Sequence, residues 1–233
     1  MGLKKKVQPI LHHLSPVVKR VRSFGRPKIF GIGANKTGTT SLKIAMKELG
    51  FTVGNQRSAE NLIDDWARRD FTRIIRYCKT AEFFQDVPFS LDFTYVVLDH
   101  TFKGSKFILT IRDSPDQWYH SLVRFHSRMW GKNDGNPPTK QELQEGFYIY
   151  KGRPWHMNRL IRDTPETDLY NKDALIKAYT DRNETIKKYF RHRPEDLLVL
   201  NVAEENAYAD LCQFLGIKKK RDTFPWRNKT SDV

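Results

Sequence analysis

Cysteine is scarce in this chain: Cys78 and Cys212 are the only two in 233 residues. Two thiols build no disulfide framework, and neither lies near other Cys or His at the spacing of a zinc site. Both sit among apolar neighbours, which reads as buried structural thiols in a reducing, cytoplasmic setting. Long apolar runs are missing as well. No stretch approaches the roughly 18 residues that a membrane span requires. The basic N-terminus is followed by no apolar core with a small-residue cleavage site, which argues against a secretory signal. Gly2 opens a myristoylation pattern that fails at Lys6, where Ser or Thr is needed.

Negative charge is the other shortage. Against 41 Lys and Arg stand 27 Asp and Glu, for a formal net charge of +14. Such a surplus suits a nucleic-acid binder, a protein of anionic membranes or an enzyme for a polyanionic small molecule. No zinc finger, RNP pattern or recognition helix supports the first, so no nucleic-acid partner is expected. The excess is densest at the two ends, at Lys4, Lys5, Lys6, Lys19, Arg20 and Arg22, and again from Lys218 to Arg221. Residues 1–27 read as a basic arm ahead of one domain, 28–233. Peripheral contact of that arm with an acidic membrane or an anionic acceptor stays open.

What is present is a globular composition, 39% hydrophobic and 29% charged, in which strand and helix patterns alternate. Lys28 to Ile32 reads as a short buried strand running into glycine. Leu42, Ala45, Met46 and Leu49 recur at helical spacing over about 40–49, with Gly50 as the stop. A helix is expected around 59–77 and a short strand near 82–86. The clearest buried strand is 106–111. It passes into a helix with an explicit start: Ser114 as N-cap, Pro115 at the first position, Gln117 completing a capping box and Asp116 at the positive end. A polar Gly/Asn/Pro loop covers 131–138. Helix is expected again over 173–190, strand over 197–201, and helix over 207–215, closed by Gly216. The alternation predicts an α/β single domain with a central, mostly parallel β-sheet flanked by helices.

The chemistry concentrates in Gly31-Ile-Gly-Ala-Asn-Lys-Thr-Gly-Thr-Thr-Ser41, between the first strand and the first helix. Unpaired backbone N–H groups at a helix start make an anion site, and Lys36 adds a full charge. Thr37, Thr39, Thr40 and Ser41 add hydroxyls. Gly33 to Thr40 fits the Walker A pattern except at its lysine, where Thr39 stands. The lysine has moved into the loop, and a kinase would lose its β/γ-phosphate clamp.

Here the chain resembles a known family. Lys36-Thr-Gly-Thr-Thr-Ser-Leu42 is similar to the 5′-phosphosulfate loop of the sulfotransferase superfamily, enzymes that use 3′-phosphoadenosine 5′-phosphosulfate (PAPS). Phe107 to Ser121 resembles the family's 3′-phosphate motif, a strand ending in Arg with Ser on the next helix, and one extra residue sits between Arg112 and Pro115. Asp86-Val-Pro88, Leu197 to Gly216 and Phe224-Pro-Trp-Arg-Asn228 also look like family segments, so the likeness runs from about 28 to 228.

The resemblance implies a P-loop-NTPase-like sulfotransferase fold and transfer of a sulfuryl group from PAPS, leaving 3′,5′-adenosine bisphosphate (PAP), with no metal. By it, Lys36 is the catalytic cation. Lys36, Thr37, Gly38, Thr39, Thr40 and Ser41 hold the 5′-end, Arg112 and Ser121 hold the 3′-phosphate, and Arg227 adds to that clamp. Asp86 falls where cytosolic relatives carry a catalytic His, which makes it the expected base, with His100 and His120 behind it. The acceptor, a small molecule or glycan with a hydroxyl or amine, is left unnamed. Trp130, Phe147, Tyr148, Tyr150 and Trp155 read equally as an acceptor wall or a satellite core. Three rival readings follow from the same residues: a P-loop kinase of a small metabolite, a nucleic-acid-binding module, and a donor-binding relative that no longer transfers.

Overall fold

The structure, a computed structural model, describes residues 25–225. Residues 1–24 of the basic arm and residue Arg227 of the expected phosphate clamp lie outside the described residues. The centre is a four-stranded sheet made of β1 (Ile29–Gly31), β2 (Phe83–Gln85), β3 (Lys106–Thr110) and β4 (Leu197–Leu200). Its spatial order is β2-β1-β3-β4 and every pairing is parallel. The sheet is covered on both faces, which is why its strands read as apolar runs. Phe30, Phe84, Phe107 and Leu109 turn to one face and Ile29, Phe83, Ile108 and Leu200 to the other.

Helices fill both layers. On the second face lie α1 (Thr39–Leu49), through Leu42, Ala45 and Met46, and the last helix of the fold at 207–214, through Tyr208 and Leu211. The first face is covered by the short helices α2 (Gln56–Glu60), α3 (Ile63–Ala67) and α4 (Thr72–Tyr77), by α5 (Thr94–Thr101) and by part of a long helix near the C-terminal end. Beyond the carboxyl edge of the sheet stand α6 (Pro115–Trp130), α7 (Lys140–Glu145), a two-residue hairpin pairing 147–148 with 150–151, and α8 (Arg153–Ile161). The long helix is α9 (Lys172–Phe190), and the last is α10 (Ala207–Phe214). Trp118, Leu122, Leu143, Leu175 and Tyr179 join α6, α7 and α9 in a separate apolar cluster.

The helix expected over 59–77 is three short ones. The chain turns at Arg69, whose φ is +60°, and Asp70 restarts it by accepting the N–H of Thr72 at 3.0 Å. Tertiary packing overrides the continuous pattern: Leu62, Ile63, Trp66 and Ile74 all bury in the same core, and one straight helix would carry part of that set away. The other expected elements lie within a residue or two of their places. The segment 140–161 was not anticipated as helical. A Thr139–Glu142 capping box opens α7 there.

Strand order decides where a ligand goes. The chain runs outward from β1 to β2, then crosses back over β1 to β3. After β1 it enters α1 on one face. After β3 it enters α6, which packs on α9 and so on the opposite face. A crevice opens at the carboxyl ends of β1 and β3, where the sheet changes direction.

Candidate active site

The loop after β1 fills that crevice, and its glycines are there for close approach. A Cβ on Gly33 would lie 2.0 Å from Thr110 Oγ1 and 2.5 Å from the Thr110 carbonyl oxygen. Gly38 has φ +94° and sits against Val202, whose Cγ2 would be 2.3 Å from a Cβ. Gly38 is also the N-cap of α1 and brings no capping side chain. The first amides of α1 are therefore uncapped, which favours an anion.

Three consecutive loop carbonyls are tied off by side chains. Thr37 Oγ1 donates to Ala34 O at 2.6 Å. Trp118 Nε1 donates to Asn35 O at 2.9 Å, and Arg112 Nε donates to Lys36 O at 2.5 Å. Each bond removes the negative end of a peptide dipole from a loop suited to anions. Thr37 is buried and also meets Thr110 Oγ1 at 2.6 Å, so its side chain braces the loop from inside. Arg112, at the exit of β3, keeps its terminal nitrogens without a bond to any described residue.

Lys36 has φ +72°, unusual for a side-chain-bearing residue. Its Nζ lies 3.7 Å from the centre of the Phe125 ring. Burial first, then the charges of Arg112 and Arg128, lower its pKa to about 8. Asp86, with φ +64°, follows β2 at the same edge. It is 9% exposed. Burial, aided by the neighbouring Glu60, raises its pKa to about 6 against the hydrogen bond from the Val87 N–H. Strained backbone at a cation and at a carboxylate on one rim is a pattern found at functional sites.

Both residues line a cavity of about 270 Å³. Gly38, Thr39, Thr40, Ser41 and Arg112 line it too, so most of the expected donor residues converge there. Ser121 is half-buried on α6 outside its lining, and His100 and His120 are exposed and outside it. Of the five aromatics, Trp130 and Tyr148 form wall, Phe147 and Tyr150 are exposed, and Trp155 packs on the α6–α7–α9 cluster. Wall and satellite core are both present.

A family model described as a sulfotransferase domain matches residues 28–233. The chain belongs to that family. No curated protein matches it.

Family membership implies sulfuryl transfer. It does not account for the other half of the cavity. Gln56 Oε1 accepts from Lys43 at 3.2 Å, which turns its Nε2 toward Asp86 Oδ2 at 2.9 Å and Glu60 Oε1 at 3.0 Å. The Tyr148 hydroxyl donates to both Glu60 oxygens at 3.0 Å. His126, buried, has its Nδ1 at 2.7 Å from the Tyr170 hydroxyl. Burial and the charges of Arg162 and Lys36 hold its pKa well below the ordinary value, so its ring is neutral. Sequence reasoning missed Gln56, Glu60, His126 and Arg162. The signal was there in spacing: Gln56 and Glu60 lie one turn apart behind the cap Asn55, and Pro154, Met157, Asn158 and Ile161 mark one face of α8, with Arg162 as its C-cap.

Among the described residues, no cluster of His, Cys, Asp and Glu is placed to hold a metal ion, and no helix is long and apolar enough to cross a membrane.

Proposed function

We propose that this sulfotransferase uses PAPS as donor and passes the sulfuryl group to a hydroxyl or amine of a small acceptor seated between α6 and α8. The observation that carries the reading is that Lys36 and Asp86 line one cavity together with the uncapped start of α1. Amides of Thr39 and Thr40 with the Ser41 hydroxyl hold the 5′-phosphate; Arg112 and Ser121 hold the 3′-phosphate, with Arg227 as a further contributor.

The reaction is an in-line displacement. The acceptor oxygen or nitrogen forms a bond to sulfur while the bond from sulfur to the bridging phosphate oxygen breaks. Charge grows on that oxygen, and Lys36 stabilises it. Asp86 takes the proton that the acceptor loses. A pKa raised to about 6 makes it a better base than an ordinary carboxylate while leaving it ionised at neutral pH. Gln56 keeps the carboxylate oriented, and Glu60 supports its raised pKa.

His126 is the rival base, because its neutral ring lines the same cavity. The two separate by pH. A rate that falls on acidification near pH 6 and loses that limb in Asp86→Asn assigns the base to Asp86. A rate flat through that range and abolished in His126→Ala assigns it to His126.

The donor site is tested by titration calorimetry with PAP, ADP, AMP and ATP, on the wild type and on Lys36→Ala and Arg112→Ala. Preference for PAP, weakened by both substitutions, is expected. Equal or tighter binding of ADP or ATP would overturn the reading in favour of a kinase.

A further inference from the structure

Beside the donor loop, the cavity has a largely aromatic wall with polar groups at each end. Asp86, Gln56, Glu60 and Tyr148 form one extreme. From Tyr148 the wall runs by ring contacts through Trp130, at 6.2 Å between centroids, to His126 at 4.8 Å and Tyr170 at 5.6 Å. At the far end stands Arg162, its guanidinium 5.6 Å from the centre of the Tyr170 ring. Met129, Met157 and Ile161 line the space between.

The far end is all donor. Arg162 is half-buried, and no described carboxylate pairs with it. One helical turn before it, Asn158 is 1% exposed and lines the same cavity. Its Oδ1 is held by Arg159, at 3.0 Å from Nε, and its Nδ2 has no partner. Trp130 Nε1 is likewise buried without an acceptor. Buried donors without acceptors are costly, and the Arg162 guanidinium, lining the same cavity, brings a positive charge with no described counter-charge beside them. Nothing described supplies the missing oxygens.

We infer that the acceptor carries a carboxylate, which docks on Arg162 with Asn158, while its hydroxyl or amine reaches Asp86 at the other extreme. Arg162 is then the specificity residue: a planar fork binds such an anion in two parallel bonds, and a lysine would not. The cavity, about 270 Å³, is shared with the donor loop, which suits a small acceptor. This inference rests on the sulfotransferase reading of the same cavity.

The test pairs acids with their uncharged amides: 4-hydroxybenzoate, 4-hydroxyphenylacetate and glucuronate against 4-hydroxybenzamide, 4-hydroxyphenylacetamide and glucuronamide. Binding to the PAP-saturated protein is measured by calorimetry and ligand-observed NMR. At least one acid is expected to bind about tenfold or more tighter than its amide. Arg162→Gln should erase that difference, and Arg162→Lys should restore only part of it. A protein that binds PAP yet binds acids and amides alike, or binds none of the acids, overturns the inference and leaves the donor reading standing. Failure to bind PAP overturns the donor reading instead. The comparison within wild type needs no variant, so a misfolded Arg162→Gln does not remove the test.

Discussion

Lys36 and Asp86 are opposed in charge and displaced in pKa toward each other, and the pH dependence of turnover follows from that. For kcat/KM the base must be ionised and the cation protonated, so the profile is a bell with limbs near pH 6 from Asp86 and near pH 8 from Lys36. Donor anions beside Lys36 raise its pKa again. The alkaline limb of kcat is therefore expected above that of kcat/KM, and equal limbs would remove Lys36 from the donor site. Lys36→Met should lower kcat by about 100-fold or more, the usual loss when a donor to developing oxyanion charge is removed. Asp86 also carries a stability signature. Its folded pKa lies above the unfolded value, so below about pH 4 the group is protonated in both states and its burial carries no ionic penalty. As pH rises through about 6, ionising it inside costs stability. Between about pH 4 and about pH 7 the Tm of Asp86→Asn should gain about 4–8 °C on wild type, corresponding to on the order of 2 kcal/mol. An unchanged difference would mean that Asp86 is not shifted.

The loop and the start of α6 are the elements that hold these residues in place, and each has a distinct weakness. Gly33→Ala drives a Cβ into both the hydroxyl and the backbone of Thr110. A loss of about 1–3 kcal/mol is expected, with weaker PAP binding, because the whole loop must move. Thr110→Ala should not rescue it, since the 2.5 Å backbone clash remains; full rescue would show that only the hydroxyl matters. At α6, the Gln117 N–H donates to Ser114 Oγ at 3.1 Å. Ser114→Ala should cost about 1 kcal/mol, or about 2–4 °C in Tm. The elements also explain what could be read in advance. Caps, glycine stops and short apolar runs act over a few residues, and the strands and α1, α6, α9 and α10 stand where those signals put them. The break of 59–77 into α2, α3 and α4 depends on which apolar side chains reach one distant core, and no local signal carries that.

For the molecule as a whole, the excess of positive charge has a kinetic consequence. At a net +14 the protein attracts a polyanionic donor at long range. The PAP association rate should fall about tenfold from low to high ionic strength, by stopped-flow, while the dissociation rate changes far less. A rate indifferent to salt would assign the basic surface to some other partner. Sequence alone determined the α/β class and showed the glycine-rich loop with its displaced lysine, because both depend on residues near one another in the chain, while Arg112 and Asp86 were singled out by the family resemblance. Tertiary structure alone decided that Thr37 braces the loop from within, that His100 and His120 stand apart, and that Gln56, Glu60, His126 and Arg162 share a cavity with Lys36. Those contacts join residues separated by tens of positions, and they exist only once strand order has brought α2, α6 and α8 to the same edge of the sheet.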